Sequence, residues 1–160
     1  MKNKILSLIE KDATLTAKQI AVMLGISEEE AAKHIKQEEE NKTILGYRGI
    51  VNWENTDREL VSAMIELRVT PQFGEGFDKV AEKIQQYAEV SSVYLMSGGF
   101  DIAVMVEGKT MKEVALFVAE KLAPMEEVLS TATHFVLKKY KIDGIVVNDT
   151  SKDTREVITL

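Results

Sequence analysis

Leu95-Met96-Ser97-Gly98-Gly99-Phe100-Asp101 is the stretch whose residue types are best arranged for chemistry. A strand-like run ends there, the chain turns on two glycines, and a second strand-like run begins with an acid at its mouth. Glycines let backbone N–H groups come close to a ligand carboxylate, and an adjacent aspartate can meet an ammonium. A free amino acid carries both groups. The same residues also suit a plain β-hairpin whose glycines only satisfy the turn, so the turn taken alone leaves both readings open.

Other chemistry has little to stand on. The chain has no cysteine, hence no disulfide, thiolate nucleophile or thiolate metal site, and its two histidines, His34 and His134, are isolated. Gly98-Gly99 lacks the spacing and βαβ context of a dinucleotide loop, and no phosphate loop is present. His134 sits in a period-two run, where a structural histidine is the simpler reading than a general base, and His34 lies on a helix surface as a solvated side chain or a DNA contact. Met64, Met96 and Met105 read as core or interface filler. No catalytic residue, metal or cofactor is therefore expected.

Charge divides the chain. Residues 1–50 carry 8 basic and 8 acidic side chains and residues 51–160 carry 12 and 18, so the net charge of −6 lies entirely in the second part. That balance excludes a generally basic protein that coats phosphate, and any DNA contact must be local. At 45% apolar and 29% charged residues the composition is that of a soluble globular protein. No run approaches the roughly 18 apolar residues of a membrane span. Ser7, Glu10, Lys11 and Asp12 interrupt the apolar positions after the basic start, so no signal-peptide core follows. A cytoplasmic location without membrane contact is expected.

The elements that must position these residues follow from periodicity and caps. Ile5, Leu6, Leu8 and Ile9 form a helix-spaced stripe over 2–11, closed by Asp12-Ala13-Thr14. Thr16-Ala17-Lys18-Gln19 is a capping box that opens a second helix, which ends at Gly25. Ser27-Glu28-Glu29-Glu30 is another capping box and opens a third, to about Lys42, with its acids at the positive end of the helix dipole. Only Gly25-Ile26 joins helices two and three, and small Ala21 precedes Gly25 by four residues. That is helix-turn-helix spacing, although a helical hairpin used for packing would share it. Residues 44–51 read as a short strand and 52–59 as a linker.

From Leu60 the period becomes two. Val61, Ala63, Ile65, Leu67 and Val69 alternate with polar or flexible residues until Pro71. Phe73, Phe77, Val80, Ala81, Ile84 and Tyr87 mark a helix, and 93–96 and 102–106 are strands flanking the glycine turn. Met111, Val114, Ala115, Val118 and Leu122 mark a second helix ending before Pro124, and 128–141 reads as a last long strand. This order is a split βαβ: a four-stranded antiparallel sheet with both helices on one face, hence an α+β, ferredoxin-like βαββαβ domain. The expected domains are a winged-helix-like helix-turn-helix over 1–51, a linker over 52–59, the βαββαβ domain over 60–142, and a tail with a short strand over 143–160. Apolar residues in both alternating sets of several strands require a cover for the second sheet face, and a dimer with sheets packed face to face supplies it.

The helix-turn-helix, the Ile44-x-Gly46-Tyr47 segment after it, and Ser97-Gly98-x-Phe100-Asp101 within the split βαβ domain resemble the Lrp/AsnC, or feast/famine, family of transcription regulators over nearly the whole chain. The resemblance implies an N-terminal domain binding double-stranded DNA and a C-terminal domain for regulation by amino-acid metabolism that dimerises and often builds octamers, as tetramers of dimers. It implies a small amino acid as effector, held near the hairpin turn where dimers meet. By position, Ser97, Gly98, Gly99, Phe100 and Asp101 match the turn, and Thr131 and Thr133 match last-strand positions beside it. Helix three becomes the recognition helix, with Ser27, Lys33, His34 and Lys36 near the duplex, Lys18 near phosphate, and Tyr47 and Arg48 on the following strand.

Helix three departs from that pattern. Six glutamates stand against Lys33 and Lys36 between Ser27 and Glu40, and Glu38 and Lys42 occupy positions where the family usually has Leu and Gly. A local net of −4 opposes phosphate contact wherever the glutamates face the duplex. A second reading is thereby open: a metabolite-sensing, oligomeric protein whose helix-turn-helix no longer binds DNA.

Overall fold

The computed structural model describes residues 1–70 and 76–147, and the chain divides between Val51 and Asn52 into two units. Three helices make the first: α1 (Lys2–Lys11), α2 (Ala17–Leu24) and α3 (Glu28–Glu40). Ile5, Ile20, Ala21 and Ala31 are buried at their common centre, ringed by Leu8, Ile9, Leu15, Leu24, Ile26 and Ile35. Both helix starts are capped, but only the first is a full capping box: at α3 the Ser27 hydroxyl accepts from the Glu30 N–H, and the expected return bond to the Glu30 side chain does not form. Thr16 accepts from the Gln19 N–H while the Gln19 side chain accepts from the Thr16 N–H, satisfying two donors that a helix start leaves free. Gly25 takes the left-handed conformation, φ 67°, that lets α2 stop and α3 start with only three residues between them.

The end of α3 is where side-chain type and backbone disagree. Lys42 adopts φ 58°, a conformation that favours glycine. It is held there because the N–H groups of Thr43 and Ile44 both donate to the Glu38 carbonyl, at 2.9 and 3.0 Å. After this turn the expected strand over 44–51 does not form: no residue there is in a ladder. A strand exists only through a partner's hydrogen bonds, and the first unit has no other extended segment.

In the second unit the expected linker contains a capped 3₁₀ turn at Trp53–Asn55. Asn52 accepts from the Glu54 N–H, the Thr56 hydroxyl donates to the Trp53 carbonyl, and the Arg58 guanidinium lies 4.3 Å from the Trp53 ring centroid. Then follow β1 (Val61–Val69), α4 (Asp78–Ile84), β2 (Val90–Leu95), β3 (Ile102–Gly108), α5 (Met111–Phe117), β4 (Val128–Phe135), β5 (Lys141–Ile142) and β6 (Ile145–Val146). The four long strands form one antiparallel sheet in the order β2-β3-β1-β4. This is the split βαβ topology, with β1 and β3 central because each is buried on the helix side. Ala63, Ile65, Leu67, Val69, Val104 and Val106 pack there against Val80, Ile84, Val114, Phe117, Val118 and Leu122.

Two elements of this unit depart from expectation in a way the structure explains. The second helix of this unit leaves α geometry at Val118 for a π turn to Leu122, in which the Ala123 N–H reaches the Val118 carbonyl at 2.8 Å. Pro124 brings no N–H to carry an α ladder further. The last strand stops at Phe135 rather than Lys141, because its partner runs out: β1 starts at Val61, and the last link is Val136 N–H to Ser62 O at 2.9 Å. Lys141 instead begins a two-stranded hairpin with Val146. Pro71, Phe73 and the tail beyond Val147 lie outside the described residues.

Candidate ligand turn and nucleic-acid interface

The glycine turn is a four-residue loop, Ser97 to Phe100, closed by a 2.8 Å hydrogen bond from the Met96 N–H to the Asp101 carbonyl. Ser97, Gly98 and Gly99 are exposed and Phe100 is half-buried. The two glycines are not equivalent. Gly98 has φ 130°, which a side chain would strain, whereas a Cβ on Gly99 would meet nothing within 4 Å. The backbone therefore requires glycine at 98 only.

Asp101 is tied to β1 twice. Its N–H donates to the Leu67 carbonyl and its Oδ2 accepts from the Val69 N–H, both at 2.9 Å. The β1–β4 register shifts between Arg68 and Val69, and a carboxylate at that irregularity supplies an acceptor for a ladder N–H. The other oxygen retains its acceptor capacity. Thr131 lies opposite Leu67 and Thr133 opposite Ile65, both half-buried. The structure thus brings the five turn residues together and sets the two threonines across β1 from them, two strand spacings or roughly 10 Å from β3.

On the first unit, Lys18, Lys33, Lys36 and Arg48 are exposed and His34 is half-buried. Ser27 is the N-cap of α3, its hydroxyl accepting from the Glu30 N–H at 3.1 Å. Lys36 Nζ is 3.9 Å from Glu40 Oε1. The Tyr47 hydroxyl donates to Glu39 Oε1 at 2.8 Å, and partial desolvation together with that acceptor raises the phenol above its ordinary range. Tyr47 thereby anchors the irregular segment after α3 to the helix.

Glu38 was missed by sequence reasoning as a structural residue. It is buried and its Oε2 lies 2.6 Å from Lys2 Nζ, linking the start of α1 to the last turn of α3. That pairing, with a further hydrogen bond from Thr43, holds its carboxyl below the usual glutamate range. A signal was present: Ala31, Ile35 and Glu38 recur at i, i+4 and i+7, the spacing of one inward face. With Glu38 turned inward, the exposed acids of α3 are Glu28, Glu29, Glu30, Glu39 and Glu40.

The open sheet face carries buried Ser62 and Ala103, half-buried Met64, Glu66 and Met105, and exposed Tyr94. His134 is there too, with Nε2 3.2 Å from Glu66 Oε1. No group of three or more potential metal-ligating side chains occurs among the described residues.

Comparison with known proteins agrees with this architecture. Residues 2–37 match the family model described as winged helix-turn-helix DNA-binding, and residues 62–146 match the Lrp/AsnC ligand binding domain. The HTH-type transcriptional regulator YugG of Bacillus subtilis is 42% identical over 159 residues, covering 99% of this chain and 96% of the relative. Among solved structures, a transcriptional regulator of Neisseria meningitidis in complex with L-Met has a TM-score of 0.71 at 20% identity, covering 91% of this chain and 93% of its own. The leucine response regulatory protein of Mycobacterium tuberculosis has a TM-score of 0.74 at 17% identity, covering 89% and 94%. A helix-turn-helix followed by this ligand-binding domain, with both models matched in order along one chain, places the protein in the Lrp/AsnC family as a transcriptional regulator and not an enzyme.

Proposed function

We propose that the protein is a sequence-specific regulator of amino-acid metabolism whose assembly and DNA binding respond to a small amino acid. The observation that carries this reading is the Ser97–Asp101 turn. It is exposed, has one glycine its backbone does not need, and has an aspartate fixed at the end of β1 within a matched ligand-binding domain. Backbone N–H groups of the turn receive the ligand carboxylate and the free side of the Asp101 carboxylate receives its ammonium. The Neisseria relative holds L-Met, an amino acid of this class. Because Thr131 and Thr133 stand across β1 from the turn, a neighbouring subunit completes the site.

In this reading residues 1–51 bind double-stranded DNA through Lys18, Ser27, Lys33, His34, Lys36, Tyr47 and Arg48. Residues 52–59 join the halves, 60–142 bind effector and oligomerise, and 143–160 form the tail. Two chains pack their open sheet faces together, and four such dimers build an octamer in the cytoplasm. The buried Ser62 hydroxyl, which has no hydrogen-bond partner among the described residues, and Ala103, Met64 and Met105 suit a covered face. The ligand acts by preferring one assembly, since only a differential affinity can shift the equilibrium.

The test combines anisotropy titration on a duplex from the gene's own upstream region at low salt, a thermal-shift screen of the twenty amino acids, and a mass measurement of the assembly. One amino acid is expected to raise Tm, change the mass distribution and alter DNA affinity together. The acidity of α3 supports a second reading, a metabolite-sensing oligomer with a degenerate helix-turn-helix; an intact, ligand-responsive oligomer that binds no duplex at any salt would establish it instead.

A further inference from the structure

Lys138, Lys139 and Lys141 stand out from the unit that carries them. No acid occurs between Glu127 and Asp143, although this unit is the acidic part of the chain. The segment is fixed at both ends: the Val136 N–H donates to Ser62 O at 2.9 Å, and the Tyr140 carbonyl accepts from the Val147 N–H at 3.0 Å, just before the β5–β6 hairpin. Lys138 and Lys141 are exposed, Lys139 is half-buried, and Tyr140 is 73% exposed. None of the three ammonium groups has a carboxylate partner among the described residues; the one contact is Lys138 Nζ, 5.1 Å from the Tyr140 ring centroid.

We infer that the 137–141 loop is a second DNA contact, a phosphate-binding strap on the ligand-binding unit, separate from the helix-turn-helix. The inference rests on the DNA-binding reading above and deepens it. Lysines without carboxylate partners, held by a loop anchored at both ends, match a surface of closely spaced phosphates, and the exposed Tyr140 hydroxyl adds a donor for a phosphate oxygen. The first unit creates the need: its acids and bases balance, and on α3 five exposed glutamates face two lysines, one of them 3.9 Å from Glu40. A regulator with so few cations on its reading helix must draw phosphate contacts from elsewhere. A second copy of this chain is the less suitable partner, because like loops meeting across a two-fold axis would set lysines against lysines.

The experiment compares the full-length protein with a Lys138→Gln/Lys139→Gln/Lys141→Gln variant and the corresponding triple Lys→Arg variant. Each is titrated with the upstream-region duplex across salt concentrations, and the mass of each assembly is measured. Each phosphate contact contributes about 0.9 to the slope of log affinity against log salt. The Gln variant is expected to lose roughly 2–3 in slope, so that raising salt from about 50 to 200 mM weakens it roughly 15–60-fold less than wild type. The Arg variant keeps the wild-type slope, and all three keep the same mass. Equal slopes for wild type and the Gln variant overturn the strap and leave the regulator reading standing. A Gln variant with altered mass overturns it too, assigning the loop to a subunit contact. Absence of duplex binding by wild type removes both.

Discussion

The Asp101 carboxylate accepts a hydrogen bond from the Val69 N–H at 2.9 Å, so the residue proposed to meet a ligand ammonium also secures the end of β1. Substitution must separate these roles. Asp101→Ala leaves a part-buried N–H without its acceptor and is expected to cost about 1–3 kcal/mol in urea unfolding. Asp101→Asn keeps an acceptor oxygen and stays within about 0.5 kcal/mol of wild type, yet loses the charge and weakens amino-acid binding about 10-fold or more. Unchanged affinity in a stable Asp101→Asn protein would remove Asp101 from the ligand site.

The two glycines give an independent check. Gly98→Ala strains a backbone at φ 130° and should destabilise by about 1–2 kcal/mol. Gly99→Ala meets open space, so its Tm should match wild type while its methyl obstructs a ligand lying on the turn. Calorimetric titration of the Gly99→Ala protein with the amino acid found by thermal shift decides the matter: full affinity means that the turn is only a hairpin.

Lys42 holds a backbone conformation at φ 58° that glycine adopts without penalty. Lys42→Gly is expected to stabilise the protein by about 0.5–1 kcal/mol, less than the full left-handed cost because glycine also enlarges the entropy of the unfolded chain. Denaturant midpoints measure this, and a destabilised Lys42→Gly protein would contradict it.

The Glu38–Lys2 pair predicts an acid-sensitive first unit. Glu38 has a folded value below its unfolded one, so its contribution is complete above the unfolded glutamate value and is lost as pH falls through the lower folded value. Stability followed by α-helical circular dichroism should therefore fall with acid more steeply in wild type than in Glu38→Leu. That substitution should keep or raise stability at neutral pH, since an apolar side chain fills the same place without a charge to desolvate. Parallel acid profiles for the two proteins would show that the pair contributes nothing.

The helices, their caps and the sheet alternation were legible because each depends on residues within four positions of one another. Thr16 with Gln19, Gly25 in its left-handed turn, and Ala63, Ile65 and Leu67 facing inward all follow from local rules. That 44–51 forms no strand, and that the last strand is short, were not legible: a strand needs a partner, 44–51 pairs with none among the described residues, and β4 ends where β1 does. The candidate turn was visible as Gly-Gly-x-Asp, but its inner structure was not. That Gly98 is conformationally required and Gly99 is not became apparent only from backbone angles.

By itself the sequence determined the order and type of the principal elements, the split βαβ arrangement they produce, and the acid and glycines that mark the turn. Tertiary structure decided what those side chains face. Glu38 turns inward to Lys2 rather than outward with its neighbours, Asp101 reaches Val69, and Thr131 and Thr133 stand across β1 from the turn. The physical reason is range: periodicity and caps are set by neighbours along the chain, whereas burial, register and the partner of a charge are set by whatever distant segment packs against it.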